Sequence, residues 1–173
     1  MTPTAIPIRP LVHADQHLLW EAVYHAIYVP EGESSPPRSI VDDPAVARYV
    51  RNWGRPGDLG FVAQIAPAGK PLGACWVRLW SDDERGYGYI DNETPELSLA
   101  VWPGHRGRGT GTRLLTNTLR RVAQEYSAVS LSVTASNPAV RLYERSGFRR
   151  VTEQGSAIVM LWQAADNSGS RRR

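Results

Sequence analysis

A mixed α/β (α+β) fold, in which helices flank a central mixed sheet, is what this chain predicts, and three observations predict it. Apolar residues switch between period-two and helical spacing along the chain, giving the order β-α-α-β-β-β-α-β-α-β-β. One strand runs through closely spaced glycines directly into a helix. The length of 173 residues, with 42% hydrophobic and 21% charged residues, suits one globular domain that buries its own core. That domain is read as residues 1–165, followed over 166–173 by a polar tail whose composition predicts disorder.

Residues 6–10 form a short first strand. Residues 13–28 set Leu18, Leu19, Ala22, Val23, Ala26 and Ile27 on one helical stripe, with Asp15 near its start. The stretch 29–43, rich in Pro, Gly, Glu and Ser, predicts a surface loop. Asp43-Pro44 then has the form of an N-cap and first helical residue, opening a short helix to about Asn52. Strands follow over 59–65 and 72–80, joined by a turn containing Pro67 and Gly69. A polar segment, 81–95, precedes the apolar run 96–102, and the alternation Tyr87-Gly88-Tyr89 predicts an extension of the hairpin there. The glycine-rich loop 103–111 enters an amphipathic helix ending near Tyr126, with Leu115, Leu119, Val122 and Tyr126 as its buried stripe. After a strand at 129–133, Asn137-Pro138 caps a helix that stops near Ser146, with Gly147 just past its end. Strands at 148–153 and 157–162 close the chain as a hairpin.

Several function classes are excluded at this level. The formal charge is +3, and Arg171, Arg172 and Arg173 equal that surplus, so the body is near neutral and predicts no nucleic-acid face. The single cysteine, Cys75, lies in an apolar run and reads as a core residue. No run approaches the ~18 apolar residues of a membrane span, and residues 1–10 lack the pattern of a secretory signal. The expectation is a cytoplasmic protein. His13 and His17 stand four apart, but no acidic residue completes a zinc set, so no metal is expected.

The chemistry concentrates in the stretch 96–115. Glycines let successive backbone N–H groups point inward, and the helix that follows adds partial positive charge, which together suit a phosphate. Arg106 and Arg108 can add charge-assisted contacts. A Walker loop is excluded, because no Gly-Lys-Ser/Thr ends the run, and the dinucleotide fingerprint fails at Thr112. What remains is Arg106-Gly107-Arg108-Gly109-Thr110-Gly111, an R-x-x-G-x-G loop after a strand and before a helix.

With that loop the chain resembles the GCN5-related N-acetyltransferase (GNAT) superfamily. The stretch 136–148, with Asn137, Leu142-Tyr143 and Gly147-Phe148, resembles the later motif of the same family, with Val140 taken as the occupant of its small-residue position. Asn137 follows Gly111 by 26 residues, room for one helix and one strand. The resemblance implies a mostly antiparallel sheet with helices on both faces, and an enzyme that moves an acetyl group from acetyl-CoA to a primary amine by direct attack on the thioester.

The roles carried over are implied by the resemblance alone. The amides of Arg106, Gly107, Arg108, Gly109, Thr110 and Gly111 would hold the pyrophosphate. The backbone of Leu99, Ala100 and Val101, where the family splays two strands, would bind the pantetheine arm. Asn137 would serve cofactor binding as well as capping, and the Tyr143 phenol would meet the departing thiolate. Ribosomal-protein enzymes of this family often carry a glutamate at the position of Ser132, which cannot be a base. Glu96 is therefore the candidate base, against the plain alternative of a solvated strand-edge carboxylate, with Asp91 and Glu93 behind it and an ordered water path as the alternative to any side chain.

Competing readings are a coenzyme A-binding module without catalysis and the same scaffold with another acyl donor. The acceptor is expected to be a small-molecule or peptide amine, acted on by a monomer or homodimer, away from membranes and nucleic acid. Acidic residues on two loops (Glu31, Glu33, Asp82, Asp83, Glu84, Asp91 and Glu93) would favour a cationic amine if either loop lines the acceptor cleft.

Overall fold

The structure, a computed structural model, describes residues 6–65 and 69–165. The turn around Pro67 and the tail 166–173 lie outside them. The chain lays down β1 (Ile8–Pro10), α1 (Gln16–Ala26), α2 (Pro44–Ala47), β2 (Leu59–Gln64), β3 (Pro71–Arg78) and β4 (Glu96–Val101). It continues with α3 (Thr110–Val122), β5 (Ala128–Thr134), α4 (Ala139–Arg145), β6 (Arg149–Gln154) and β7 (Ala157–Gln163). Seven strands form one sheet in the order β1-β2-β3-β4-β5-β7-β6. Every neighbouring pair is antiparallel except β4 and β5.

Alternation along the central strands sends side chains to two cores. Cys75, Val77 and Leu97 face Leu114, Leu115, Leu119 and Val122 of α3 and Val140 and Tyr143 of α4. Ala74, Trp76 and Ala100 face Leu18, Leu19, Ala22 and Val23 of α1, with Val50 and Trp53 beside them. Helices therefore cover both faces, and β3, at the centre, is buried along almost its whole length.

Five elements depart from the sequence-based expectation. Helix α1 starts at Gln16 and ends at Ala26, after a 3-10 turn at His13–Asp15, and a second 3-10 turn, Arg38–Asp42, sits within the expected loop. Asp43 Oδ1 does accept from Ala45 N at 2.8 Å, but α2 is a single turn. Its continuation is stopped because the buried Arg78 guanidinium takes the carbonyls of Arg48 and Arg51 at 2.7 and 2.8 Å, and Asn52 adopts φ 55°. Tyr87-Gly88-Tyr89 does not extend a hairpin; it belongs to a loop. Tyr126, expected in the α3 stripe, lies past the helix end and is only half-buried.

Candidate active site

The site begins where two strands part. Strand β4 pairs with β5 at one position, Glu96 opposite Ser130, with Ser130 N donating to Pro95 O at 3.0 Å. Beyond that rung the strands diverge, and residues 97–101 on one side and Ser132, Val133 and Thr134 on the other line a cleft of about 770 Å³. Leu99, Ala100 and Val101 thus sit on a strand edge that β5 leaves open. Ser132 lines the same gap and carries no base.

The glycine loop forms the wide end of the cleft. Gly104, Gly107 and Gly109 adopt φ of 84°, 70° and 80°, a region that only glycine enters readily. A Cβ built on Gly107 or Gly109 would meet nothing within 4 Å, so the space over this bend is open. The first helical bond after Gly109 runs from Arg113 N to Gly109 O at 3.1 Å, leaving the amides ahead of it, at the positive end of a 13-residue helix, as donors for an anion. Gly107, Gly109 and Gly111 line the cleft, as does Arg106, whose Nε donates to Val101 O at 2.9 Å and ties the loop to the end of β4. Arg108 and Thr110 do not line it: the Arg108 side chain is exposed, and Thr110 is turned into the core. The open bend, the donor-rich helix end and Arg106 fit a pyrophosphate.

Opposite, α4 supplies Ala139, Leu142 and Tyr143, and the turn before it supplies Asn137. Asn137 Oδ1 accepts from Ala139 N at 2.9 Å, starting the helix, and Gly147 with φ 99° ends it. Ala139 is on the cleft wall, while Val140, the residue expected at the small-residue position, is in the core. Tyr143 is 7% exposed, packs edge-on against Phe148 with centroids 5.7 Å apart, and borders the cleft. Burial pushes its phenol well above the ordinary range, so it keeps its proton at neutral pH.

Glu96 lies at the closed end of the cleft, on the α1 side of the sheet. It is 3% exposed, which overturns the alternative of a solvated edge carboxylate. Three donors hold it: Tyr49 Oη and Gly88 N reach Oε1, each at 2.9 Å, and Trp80 Nε1 reaches Oε2 at 2.7 Å. Tyr49 Oη in turn accepts from Tyr87 N at 2.7 Å. Burial raises the Glu96 carboxyl above the usual glutamate value, with the three hydrogen bonds pulling the other way. Burial, and then the nearby Glu96 charge, drives the Tyr49 phenol up as well, keeping it a donor.

Sequence reasoning missed Tyr49, Trp80 and the two glycines that make this pocket. A Cβ on Gly86 would collide with Glu96 Oε2, and one on Gly88 would stand 2.7 Å from the Leu131 carbonyl carbon and 2.9 Å from Glu96 Oε1. The pattern Gly86-Tyr87-Gly88 in an otherwise polar loop was the available signal. Asp91 is occupied as a turn cap, accepting from Glu93 N and Thr94 N at 2.9 and 2.8 Å. Neither Asp91 nor Glu93 borders the cleft, so both alternative bases fall away. Among the described residues no cluster of three His, Cys, Asp or Glu could hold a metal ion, and no helix is long and apolar enough to cross a membrane. His13 and His17 each point a ring nitrogen at a backbone carbonyl, of Trp53 and Ala14.

The splayed strands, the glycine bend before α3 and the tyrosine on α4 are a defined combination, and the model of one family matches it over residues 20–148. The chain belongs to the acetyltransferase (GNAT) family, and is an acetyltransferase by that membership. Its fold is similar to that of the Salmonella typhimurium protein YncA, solved with acetyl-CoA, at 19% identity and a TM-score of 0.66, covering 95% of this chain and 97% of that one. A ribosomal-protein-alanine N-acetyltransferase from Brucella melitensis matches at 18% identity and TM-score 0.63, over 92% and 100% of the two chains. A chimera of the Vibrio cholerae spermidine N-acetyltransferase SpeG matches at 17% and 0.59, over 92% and 96%. At these identities the likeness is one of fold. None of the curated proteins matches the chain.

Proposed function

We propose that this protein transfers the acetyl group of acetyl-CoA to a primary amine by direct attack of the amine on the thioester. The observation that carries the reading is the cleft itself, which sets the glycine bend and Tyr143 around an open strand edge and buries a carboxylate where that edge closes. Acetyl-CoA, when bound, supplies the thioester carbonyl as electrophile. The amides from Arg106 to Gly111 hold its pyrophosphate, with Arg108 and Thr110 contributing main chain only. The free backbone groups of Leu99, Ala100 and Val101 position the arm and polarise the carbonyl.

An amine attacks only as the free base, and most amines are protonated near neutrality. Glu96, with its raised pKa, takes that proton directly or through Tyr49 or a water. Tyr143, kept protonated by burial, gives a proton or a hydrogen bond to the sulfur as the C–S bond breaks. Asn137 fixes the start of the helix that aims Tyr143. The test is Tyr143→Phe. Its acetyl-CoA affinity by calorimetry should match wild type, while turnover falls about tenfold to hundredfold. Wild-type turnover in the variant would make Tyr143 a packing residue and remove the leaving-group step from the scheme.

A further inference from the structure

The acceptor half of the cleft has a composition that selects among amines. It is bounded by Val23, Ala26 and Ile27 at the end of α1, Val46 on α2, and the rings of Tyr49 and Tyr87, which stack at 18° with centroids 6.4 Å apart. Among the residues lining the whole cleft, Glu96 is the single acid, set against Arg106, Arg145 and His25, and the His25 ring pairs at 2.8 Å with Glu21, which does not line the cleft. None of the acidic loop residues lines the cleft, and three of them are committed elsewhere. Glu84 pairs with Arg55 at 2.7 Å, Asp82 with Arg85 at 3.0 Å, and Asp91 caps its own turn. The Glu96 carboxylate already accepts three hydrogen bonds out of about four sites, which leaves room for one N–H.

Resting on the acetyl-transfer reading, we infer that the acceptor is a monoamine carried on an apolar or aromatic body, and that polyamines are excluded. One ammonium can be discharged at Glu96. A second, further along the acceptor, would lie among walls that carry no carboxylate and would go unpaired there. An alkyl or aryl body instead gains by leaving water against the valines and the tyrosine stack. The cationic acceptor suggested by the acidic loops is thereby replaced.

The experiment compares kcat/KM, at saturating acetyl-CoA and one pH, for hexylamine, 2-phenylethylamine, pentane-1,5-diamine and spermidine. Hexylamine and the diamine have equal chain length and differ in a terminal methyl against a terminal ammonium. Preference for hexylamine and 2-phenylethylamine by about a hundredfold or more is expected. Calorimetry of acetyl-CoA on the same preparation separates the two levels of claim. Cofactor binding with equal or better use of the diamine overturns the acceptor class and leaves acetyl transfer standing. Binding with no transfer to any of the four overturns the acceptor class too. Absence of acetyl-CoA binding overturns both. Tyr87 is 65% exposed, so Tyr87→Ala should fold. It should lower kcat/KM for 2-phenylethylamine about tenfold without changing cofactor affinity, and an unchanged value would mean the tyrosine wall is not the acceptor wall.

Discussion

Glu96 shows how little of a residue's chemistry is fixed by its identity. As the first residue of an apolar run it was a fair candidate for a base, but a sequence carries no information on whether a strand-end carboxylate meets water. The loop over 86–88 and the rings of Tyr49 and Trp80 decide that, and Tyr49 stands 47 residues away along the chain. Because burial raises the carboxyl, the base form is populated only as pH climbs past a value above the ordinary 4.5. Glu96→Gln should therefore cost most, about tenfold to hundredfold in kcat/KM, between that value and the pKa of the amine. The loss should shrink where free amine is abundant. A parallel loss at every pH would instead make Glu96 an anchor for a cationic acceptor. Stability follows the same proton. The folded state holds it more tightly than the unfolded chain, so this group's contribution falls as pH rises from about 4.5 through the raised value, and the Gln variant should lack that slope in urea titrations.

Elements were legible where local pattern decides them. The glycine bend, α3 and α4 follow from φ-demanding glycines, an apolar stripe and an asparagine cap, all visible in a few consecutive residues. The bend and α3 also separate two glycines that look alike in sequence. Gly111 lies within α3, where an added methyl would meet Leu142 and Val101 at an ordinary 3.6 Å. Gly111→Ala should leave stability unchanged or raise it by up to about 1 kcal/mol through helix propensity. Gly109 sits at φ 80°, and Gly109→Ala should lose about 1–2 kcal/mol although nothing is within 4 Å of the new atom. Denaturant midpoints moving the same way for both would refute the distinction. Helix α2 was overestimated for a reason no local window contains: the carbonyls of Arg48 and Arg51, just past its end, are claimed by Arg78, a residue of β3.

For the whole molecule, element order was enough to give a mixed sheet flanked by helices, while the buried ion pair that fastens the segment after α2 had no local signature. Arg78 Nε and Nη2 meet Asp58 Oδ1 and Oδ2 at 2.9 and 2.7 Å, both side chains 1% exposed, and Asp58 also accepts from Gly54 N and Arg55 N. Asp58→Ala would strand a buried guanidinium and free two amides, at about 3–5 kcal/mol in the urea unfolding free energy. A loss below about 1 kcal/mol would show that water reaches the pair. The single rung between β4 and β5 has a consequence on this scale as well. A seven-stranded sheet ordinarily has two edges open to another chain, at β1 and β6 here, and parting its middle strands creates two more. Such edges invite intermolecular strand pairing and aggregation. In this molecule the inner pair lies in the middle of the sheet and faces a cleft walled by residues of α1, α3 and α4, not an outer rim. Backbone groups left unpaired at this parting are thereby kept off the outer edges of the sheet, where another copy of the chain would meet them first.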